Sequence, residues 1–434
     1  MRCGSAIVDI TPARNLFLGG GMFGRATGVN DRLTATAFCF EHDGARLLLI
    51  NCDLIGFGND LANSIRTDIG NATGLPRDAI ALSATHTHSG PVTLDLRHWG
   101  STDKAYAARL RRLLVRVAQQ ATARTVPVRL KWSSMPCRGI GVNRTSYGTV
   151  VDETLGVLRV EKATDGRLLG MIVNHACHPV TMHSTRVYSA DFPGAIRAEV
   201  RRVTRRTVPV VFLLGAAGDT NPRDFKADLS GSVTPQLMRA RRALCHKIGA
   251  ELARCALGNP ARKGGTGLAW SVEKVSLPLQ PYPDAATLRS LKMSAEADIR
   301  KYRSDPEKAW PLAEALVMRD WVRDAASRRG ARSLQVELAA IRIGRVRILA
   351  LPVELFAAYG LELRRRMGRV PFILATMCNG YNSYVTADPG IERRTYEAAG
   401  VPRLLGRQSY AKGVGRRLVA GAVRVARKLG EEGG

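Results

Sequence analysis

A chain of 434 residues, 45% of them hydrophobic and 24% charged, holds enough apolar mass for a sizeable core, which excludes a disordered chain. No apolar run reaches the length of a membrane span, and eight scattered cysteines without a CxxC pair exclude a disulfide framework and read as reduced, mostly buried thiols. The formal charge of +28 comes from 65 Lys+Arg against 37 Asp+Glu and leaves two readings open, nucleic-acid binding or solvated basic helix faces with an anionic substrate or partner.

In chain order, residues 5–10 (Ser5-Ala6-Ile7-Val8-Asp9-Ile10) are strand-like. No charged-then-apolar leader precedes them, so a cytoplasmic location is expected. Residues 33–40 and 45–50 predict a hairpin around Asp43-Gly44. A helix is predicted over 59–72, then an apolar strand ending in Thr85-His86-Thr87-His88-Ser89-Gly90-Pro91, then an amphipathic helix over 103–121. Residues 155–160 and 168–173 predict a second hairpin around Asp165-Gly166. A helix over 194–203, a strand over 208–214 and a long helix over 235–257 follow. Residues 258–266 are the clearest compositional break, although strands on both sides can share a sheet. Beyond it come a strand over 268–279, a charged helical pair over 284–329, a hairpin over 334–351 around Ile343-Gly344, a helix over 353–366, a strand over 372–378 and a helix over 409–429. Hairpins recurring between helices predict an α+β fold of mixed β-sheets flanked by helices, not a doubly wound parallel sheet. One domain over 1–434 is expected, with a helical insertion at 284–330.

The basic clusters at 201–206, 239–242, 364–366 and 416–428 fall on several of these helices, with no aromatic-interleaved patch and no nucleic-acid reading motif. Solvated faces are therefore the expected reading, and no nucleic-acid partner.

Four strand ends gather polar side chains. His86 and His88 are spaced i, i+2, so on an extended segment they face one side, as two metal ligands or as polar residues finishing a strand. In Asn174-His175-Ala176-Cys177-His178-Pro179, the two histidines point to opposite faces of an extended segment. Only one can join His86, and His178, next to proline, is the better candidate, while His175 and His183 read as ordinary loop residues. Glu354, after Pro352-Val353, either complements the dipole of a first helical turn or ligates a metal. Tyr381 and Tyr384, beyond Cys378-Asn379-Gly380, are packing or catalytic groups.

Taken together, these segments resemble the neutral/alkaline (non-lysosomal) ceramidase family in its zinc-hydrolase domain. The resemblance runs from Gly4-Ser5-Ala6-Ile7-Val8-Asp9-Ile10-Thr11-Pro12 to about Gly406. It takes in Gly19-Gly20-Gly21-Met22, the Thr85–Pro91 motif, Asn143-Arg144, Asp152-Glu153-Thr154-Leu155, His178-Pro179-Val180-Thr181-Met182, Ser189-Ala190-Asp191, Gly218-Asp219, Pro352-Val353-Glu354, Tyr384-Val385-Thr386 and Tyr396-Glu397. It implies one Zn²⁺ per chain, held by His86, His178, Glu354 and Tyr384. It implies that His88, Arg144 and Tyr396 surround the reacting carbonyl. Such a donor set leaves the metal a residual positive charge, able to activate water and polarise a carbonyl.

The chain departs from the family at two places. The loop that carries a serine in a Gly-Asp-x-Ser-Pro-Asn-like pattern reads Gly218-Asp219-Thr220-Asn221-Pro222-Arg223, so Asn221 stands in the serine place. The segment after Tyr396-Glu397 is too short for the family's C-terminal immunoglobulin-like domain, so a short form is expected. The expectation is a zinc-dependent hydrolase that uses metal-activated water to cleave the N-acyl amide bond of a small, soluble substrate, with no membrane insertion. Asn221 and Arg223 would face that substrate, and Arg144, Arg223 and the net charge would suit an anionic one. The alternatives are an ester or lactone hydrolase on the same metal, or a non-catalytic, basic nucleic-acid-binding protein on this scaffold. A structural zinc is set aside because no cysteine falls at a ligand position.

Overall fold

Turn chemistry sets the hairpins. Asp43 and Gly44 both take left-handed φ, +48° and +76°, which matches the twist of a tight two-residue turn. Thr34–His42 and Ala45–Cys52 pair antiparallel across them. Gly166 and Gly344, also at positive φ, turn Thr154–Lys162 into Leu168–His175 and Ser333–Ile343 into Val346–Ala350. All three predicted hairpins are present. The computed structural model describes residues 1–20, 24–226, 232–305 and 308–430. Gly21 and Met22 of the glycine-rich run lie outside the described residues.

Among the described residues, a nine-stranded mixed sheet runs in the order Val210–Leu214, Leu168–His175, Thr154–Lys162, Val126–Pro136, Arg2–Asp9, Thr34–His42, Ala45–Cys52, Ile80–Ala84, with Arg262–Lys263 paired beside Val126–Pro136. A four-stranded sheet runs Leu268–Pro278, Ser333–Ile343, Val346–Ala350, Phe372–Ala375. Side-chain alternation divides these strands between three layers of core. Leu47 and Leu49 face Ile341, Ile348 and Ile373 between the two sheets. Leu48 and Ile50 face the opposite way, with Ile65 and Leu114 of the helices Asn59–Thr73 and Lys104–Ala123. Leu338 and Leu349 turn outward to Leu363 and Leu418 of Ala357–Met367 and Val414–Arg427. The result is helices, sheet, sheet, helices, the α+β arrangement of mixed sheets read from the sequence.

The two ends of the large sheet meet. Asn51, on the Ala45–Cys52 strand, accepts from Phe212 N at 3.2 Å. The segment that follows Phe372–Ala375 closes the seam: Thr376 N donates to Leu214 O at 2.8 Å and Asn379 N to Leu82 O at 2.7 Å. The loops after Ile80–Ala84 and after Leu168–His175, remote in strand order, thereby open at one place.

The predicted charged stretch forms two helices, Ala285–Tyr302 and Ala309–Ser327, the first capped by Asp284. Trp321 donates to Arg407 O at 2.8 Å, so it packs rather than facing a ligand. Two helix starts differ from expectation. Residues 409–413 precede the last helix, which begins at Val414. The helix expected from 353 begins at Ala357, because Glu354–Leu355 pairs in parallel with Tyr384–Val385. No helix among the described residues is long and apolar enough to cross a membrane.

The basic clusters are partly neutralised on their own helices, as Arg202 pairs with Glu199, and Arg365 and Arg366 with Glu362. A buried pair ties helix to sheet: Arg66 Nε donates to Ile80 O at 3.0 Å and Nη1 to Glu337 Oε1 at 2.7 Å. Its side chain is fully buried. Removing the carboxylate leaves that guanidinium its backbone acceptors and Asp78 at 4.0 Å, and with Glu337 20% exposed the cost is about 2 kcal/mol. Glu337→Ala should therefore lower the urea unfolding free energy by roughly that amount, and a change below ~1 kcal/mol would show that the pair does not carry this junction.

Candidate metal centre

The Ile80–Ala84 strand ends before the histidine pair. His86 takes φ +70°, a left-handed conformation that costs a non-glycine residue energy and turns the chain sharply. The pair therefore does not sit on an extended segment as expected, yet its rings converge, with Nε2 atoms 3.4 Å apart. His178 enters from the loop after Leu168–His175, its N donating to Thr220 O at 3.0 Å. Its Nε2 lies 3.0 Å from His86 Nε2. Glu354 Oε2 lies 3.1 Å from both of these nitrogens.

Protons decide what this triangle is. His86 Nδ1 lies 2.6 Å from Ile55 O and His178 Nδ1 lies 2.7 Å from Ala217 O. A carbonyl only accepts, so both Nδ1 atoms carry the proton and, in neutral rings, both Nε2 atoms are bare lone pairs. Burial holds His178 down, to about 4. Burial raises the Glu354 carboxyl, and only positive charge on the side of His86 and His178 brings it well below the usual carboxylate range, so with both rings neutral the ionised carboxylate needs a cation beside it. Two ring nitrogens and a carboxylate oxygen thus face one another at 3.0–3.1 Å. The oxygen is buried and has no hydrogen-bond donor among the described residues. Three acceptors at such distances repel unless a cation lies between them. A tetrahedral ion with bonds of about 2.0–2.1 Å has edges of ~3.3–3.4 Å, so a shift of ~0.3 Å along each edge of this triangle admits a divalent metal.

His88 Nε2 belongs to the same group of nitrogens, all within 4.8 Å of one another. Its Nδ1 lies 3.3 Å from Gly20 O. A Cβ at Gly20 would come 2.2 Å from the His88 Cβ, so only glycine lets this backbone approach. His183, read as an ordinary loop residue, packs its ring 5.6 Å from that of His88 and reaches Gly20 O through Nε2 at 3.1 Å. His175 is buried elsewhere, 3.3 Å from Thr154 O.

Around the triangle stand the other expected residues. Tyr384 lies beside Glu354 in strand register. Burial, and then the Glu354 charge, push its phenol well above the usual range. Arg144 Nη2 donates to Gly218 O at 2.9 Å and to the Tyr384 hydroxyl at 3.3 Å, and pairs with Glu397 Oε1 at 3.1 Å. Its Nε is buried without an acceptor among the described residues. Tyr396 is 42% exposed and stacks on Trp99, with centroids 6.3 Å apart. Asn221 sits on Thr220–Pro222, paired with Gly141–Asn143, and its Oδ1 is buried without a partner among the described residues. Arg223 is exposed, and its Nε donates to Gly139 O at 3.3 Å, so no described contact brings it to the histidines.

Three residues named in the sequence without a definite role prove to be positioning residues. The Tyr381 hydroxyl donates to Glu354 Oε1 at 2.7 Å. Asp219 accepts from Ala357 N and from Asn143 Nδ2, each at 2.8 Å, and fixes the loop that bears Arg144. Glu397 holds the Arg144 guanidinium. Tyr381 and Glu397 were visible only as neighbours of Tyr384 and Tyr396.

The model of the neutral/alkaline non-lysosomal ceramidase N-terminal domain matches residues 2–246, more than half of the sequence. The chain belongs to this family. Among solved structures it is similar to neutral ceramidase from Pseudomonas aeruginosa, with a TM-score of 0.70 and 19% identity, over 99% of this chain and 75% of that one. A ceramidase complexed with C2 gives a TM-score of 0.71 and 18% identity, over 98% and 74%. No curated protein matches the sequence. The ceramidase fold thus extends beyond the segment matched by the family model, to the part that carries Glu354, Tyr384 and Tyr396.

Partners of metal ligands commonly set affinity by about 10–100-fold. Tyr381→Phe, which leaves Glu354 Oε1 without its donor, should weaken zinc binding in a chelator competition by about that factor. Unchanged affinity would remove Tyr381 from the centre.

Proposed function

We propose that the protein is a zinc-dependent hydrolase of amide bonds, acting on a small N-acyl substrate. The observation that carries this reading is the meeting of two bare imidazole nitrogens and one ionised carboxylate oxygen, with each Nδ1 proton fixed on a backbone carbonyl. Family membership supplies the bond type.

His86, His178 and Glu354 would hold the ion, with Tyr384 as a fourth, weakly donating ligand. Bound there, zinc supplies Lewis acidity toward a carbonyl and acidifies water. The chain's own groups do the rest. Arg144, pinned by Glu397 and Gly218 O, directs its charge toward the place where a tetrahedral oxyanion develops, and its unpaired Nε is available to it. The Tyr396 hydroxyl, within electrostatic reach of Arg144 and Glu354, is a second donor. His88 Nε2 accepts the proton released by the attacking water and returns it to the departing nitrogen.

A cavity of about 200 Å³, lined by Trp99, Val317, Met318, Tyr396 and Leu404, opens beside Tyr396. Glu314 and Arg403 also line it, and a cavity of about 680 Å³ shares Trp99 and Leu404 with it; together they admit a substrate in the ordinary small-ligand range of roughly 300–1,000 Å³. Asn221 Oδ1 would take a donor from the substrate.

His178→Ala and Glu354→Ala should abolish both zinc binding and hydrolysis, while full activity of metal-free protein would refute the proposal. Arg144→Ala should lower kcat on a short N-acyl amine or N-acyl amino acid by about 10²–10³-fold with less change in KM. Preference for esters in the same screen would reassign the bond cleaved.

A further inference from the structure

Away from the histidine centre, a second group of metal-type donors meets where the Val126–Pro136 strand ends against the Pro235–Gly258 helix. Cys137 Sγ lies 3.7 Å from Cys255 Sγ, and Cys255 Sγ lies 3.6 Å from Glu251 Oε1. The three donors all fall within 4.8 Å of one another. Glu251 and Cys255 are spaced i, i+4, which places both on one helix face. A tetrahedral zinc with bonds of about 2.3 Å to sulfur and ~2.1 Å to oxygen spaces its sulfurs ~3.8 Å apart and sulfur from oxygen ~3.6 Å. Two of the three separations match those edges and are also those of an S–H···S and an S–H···O hydrogen bond, whereas a disulfide requires the sulfurs to close to about 2.05 Å.

We propose that Cys137, Cys255 and Glu251 form a second site for a thiophilic divalent cation, zinc by ligand type, with three protein ligands and water completing the tetrahedron. Binding exchanges two thiol protons, lost to solvent, for two metal–sulfur bonds, and no oxidation is involved. Arg254 pairs with Glu251 and offsets the charge of the filled site. Arg138 stands next in the chain, 3.7 Å from Glu153.

The position gives the site a consequence. Cys137 N donates to Glu153 O at 2.7 Å, and Ile140 O accepts from Arg223 N at 2.9 Å. The chain then passes through Gly141–Asn143 to Arg144. An ion at Cys137 staples the long helix to the root of the segment that carries this arginine.

Cobalt separates the two centres, because only a thiolate ligand gives a sulfur-to-cobalt charge-transfer band. Titrating the reduced full chain with Co²⁺ should produce that band. It should survive in His86→Ala, vanish in Cys137→Ser and Cys255→Ser, and in Glu251→Gln require roughly tenfold more cobalt or worse. Zinc analysis should lose one ion per chain in either cysteine variant while the histidine centre stays filled. Absence of the band in the reduced wild type, or its persistence in both serine variants, would overturn the proposal. So would a Cys137–Cys255 disulfide whose reduction restores no cobalt uptake. If Cys137→Ser fails to fold, Cys255→Ser and Glu251→Gln, on the partly exposed helix face, still decide.

Discussion

Mutual repulsion among His86 Nε2, His178 Nε2 and Glu354 Oε2 is the constraint on which the rest of the site depends. Each atom is held where its lone pair faces the others. None can turn away cheaply, because the opposite edge of each group is already bonded: to Ile55 O, to Ala217 O and to the Tyr381 hydroxyl. A fold that spends buried hydrogen bonds to aim acceptors at one another is built around a positive charge.

The large sheet makes this meeting possible by joining its ends. Asn51 and the segment at 376–379 bring the edge strands Ile80–Ala84 and Val210–Leu214 together. Loops from either end, and Glu354 from its short pairing with Tyr384–Val385, then reach one point. Left-handed backbone at His86, Met377, Asn379 and Ser383 is concentrated along these loops. Such conformations persist where the surroundings over-determine them. Asp219 and Glu397 extend the same logic to Arg144, holding its charged group rigid beside Tyr384.

Turns and periodic elements were legible in the sequence because their signals are local. Asp43-Gly44 and Asp165-Gly166 fix hairpins by their own φ preferences, and Asp103 and Asp284 accept backbone N–H bonds at the helix starts beside them. What failed was set by distant contacts. The helix expected from 353 starts later because Glu354 and Leu355 find Tyr384 and Val385 as strand partners. The exposed position of Arg223, the packing of His183 against His88 and the role of Tyr381 depend on loop paths that no period encodes. Cys137 and Cys255 lie 118 residues apart without a spacing motif, so their meeting was invisible. Spacing and the following proline already favoured His178 as the partner of His86, whereas Glu354 and Tyr384 were joined to them only through family resemblance. Spacing alone left each of those two with an ordinary reading.

Anomalous diffraction at the zinc edge, from crystals grown with zinc, tests the central claim most directly. The account predicts a peak among His86 Nε2, His178 Nε2 and Glu354 Oε2, with His88 beside it and outside bonding distance. No peak there, with a water or a carboxyl proton satisfying the same atoms, would contradict it, and a peak bonded to both His86 and His88 but not to Glu354 would overturn the assignment of roles.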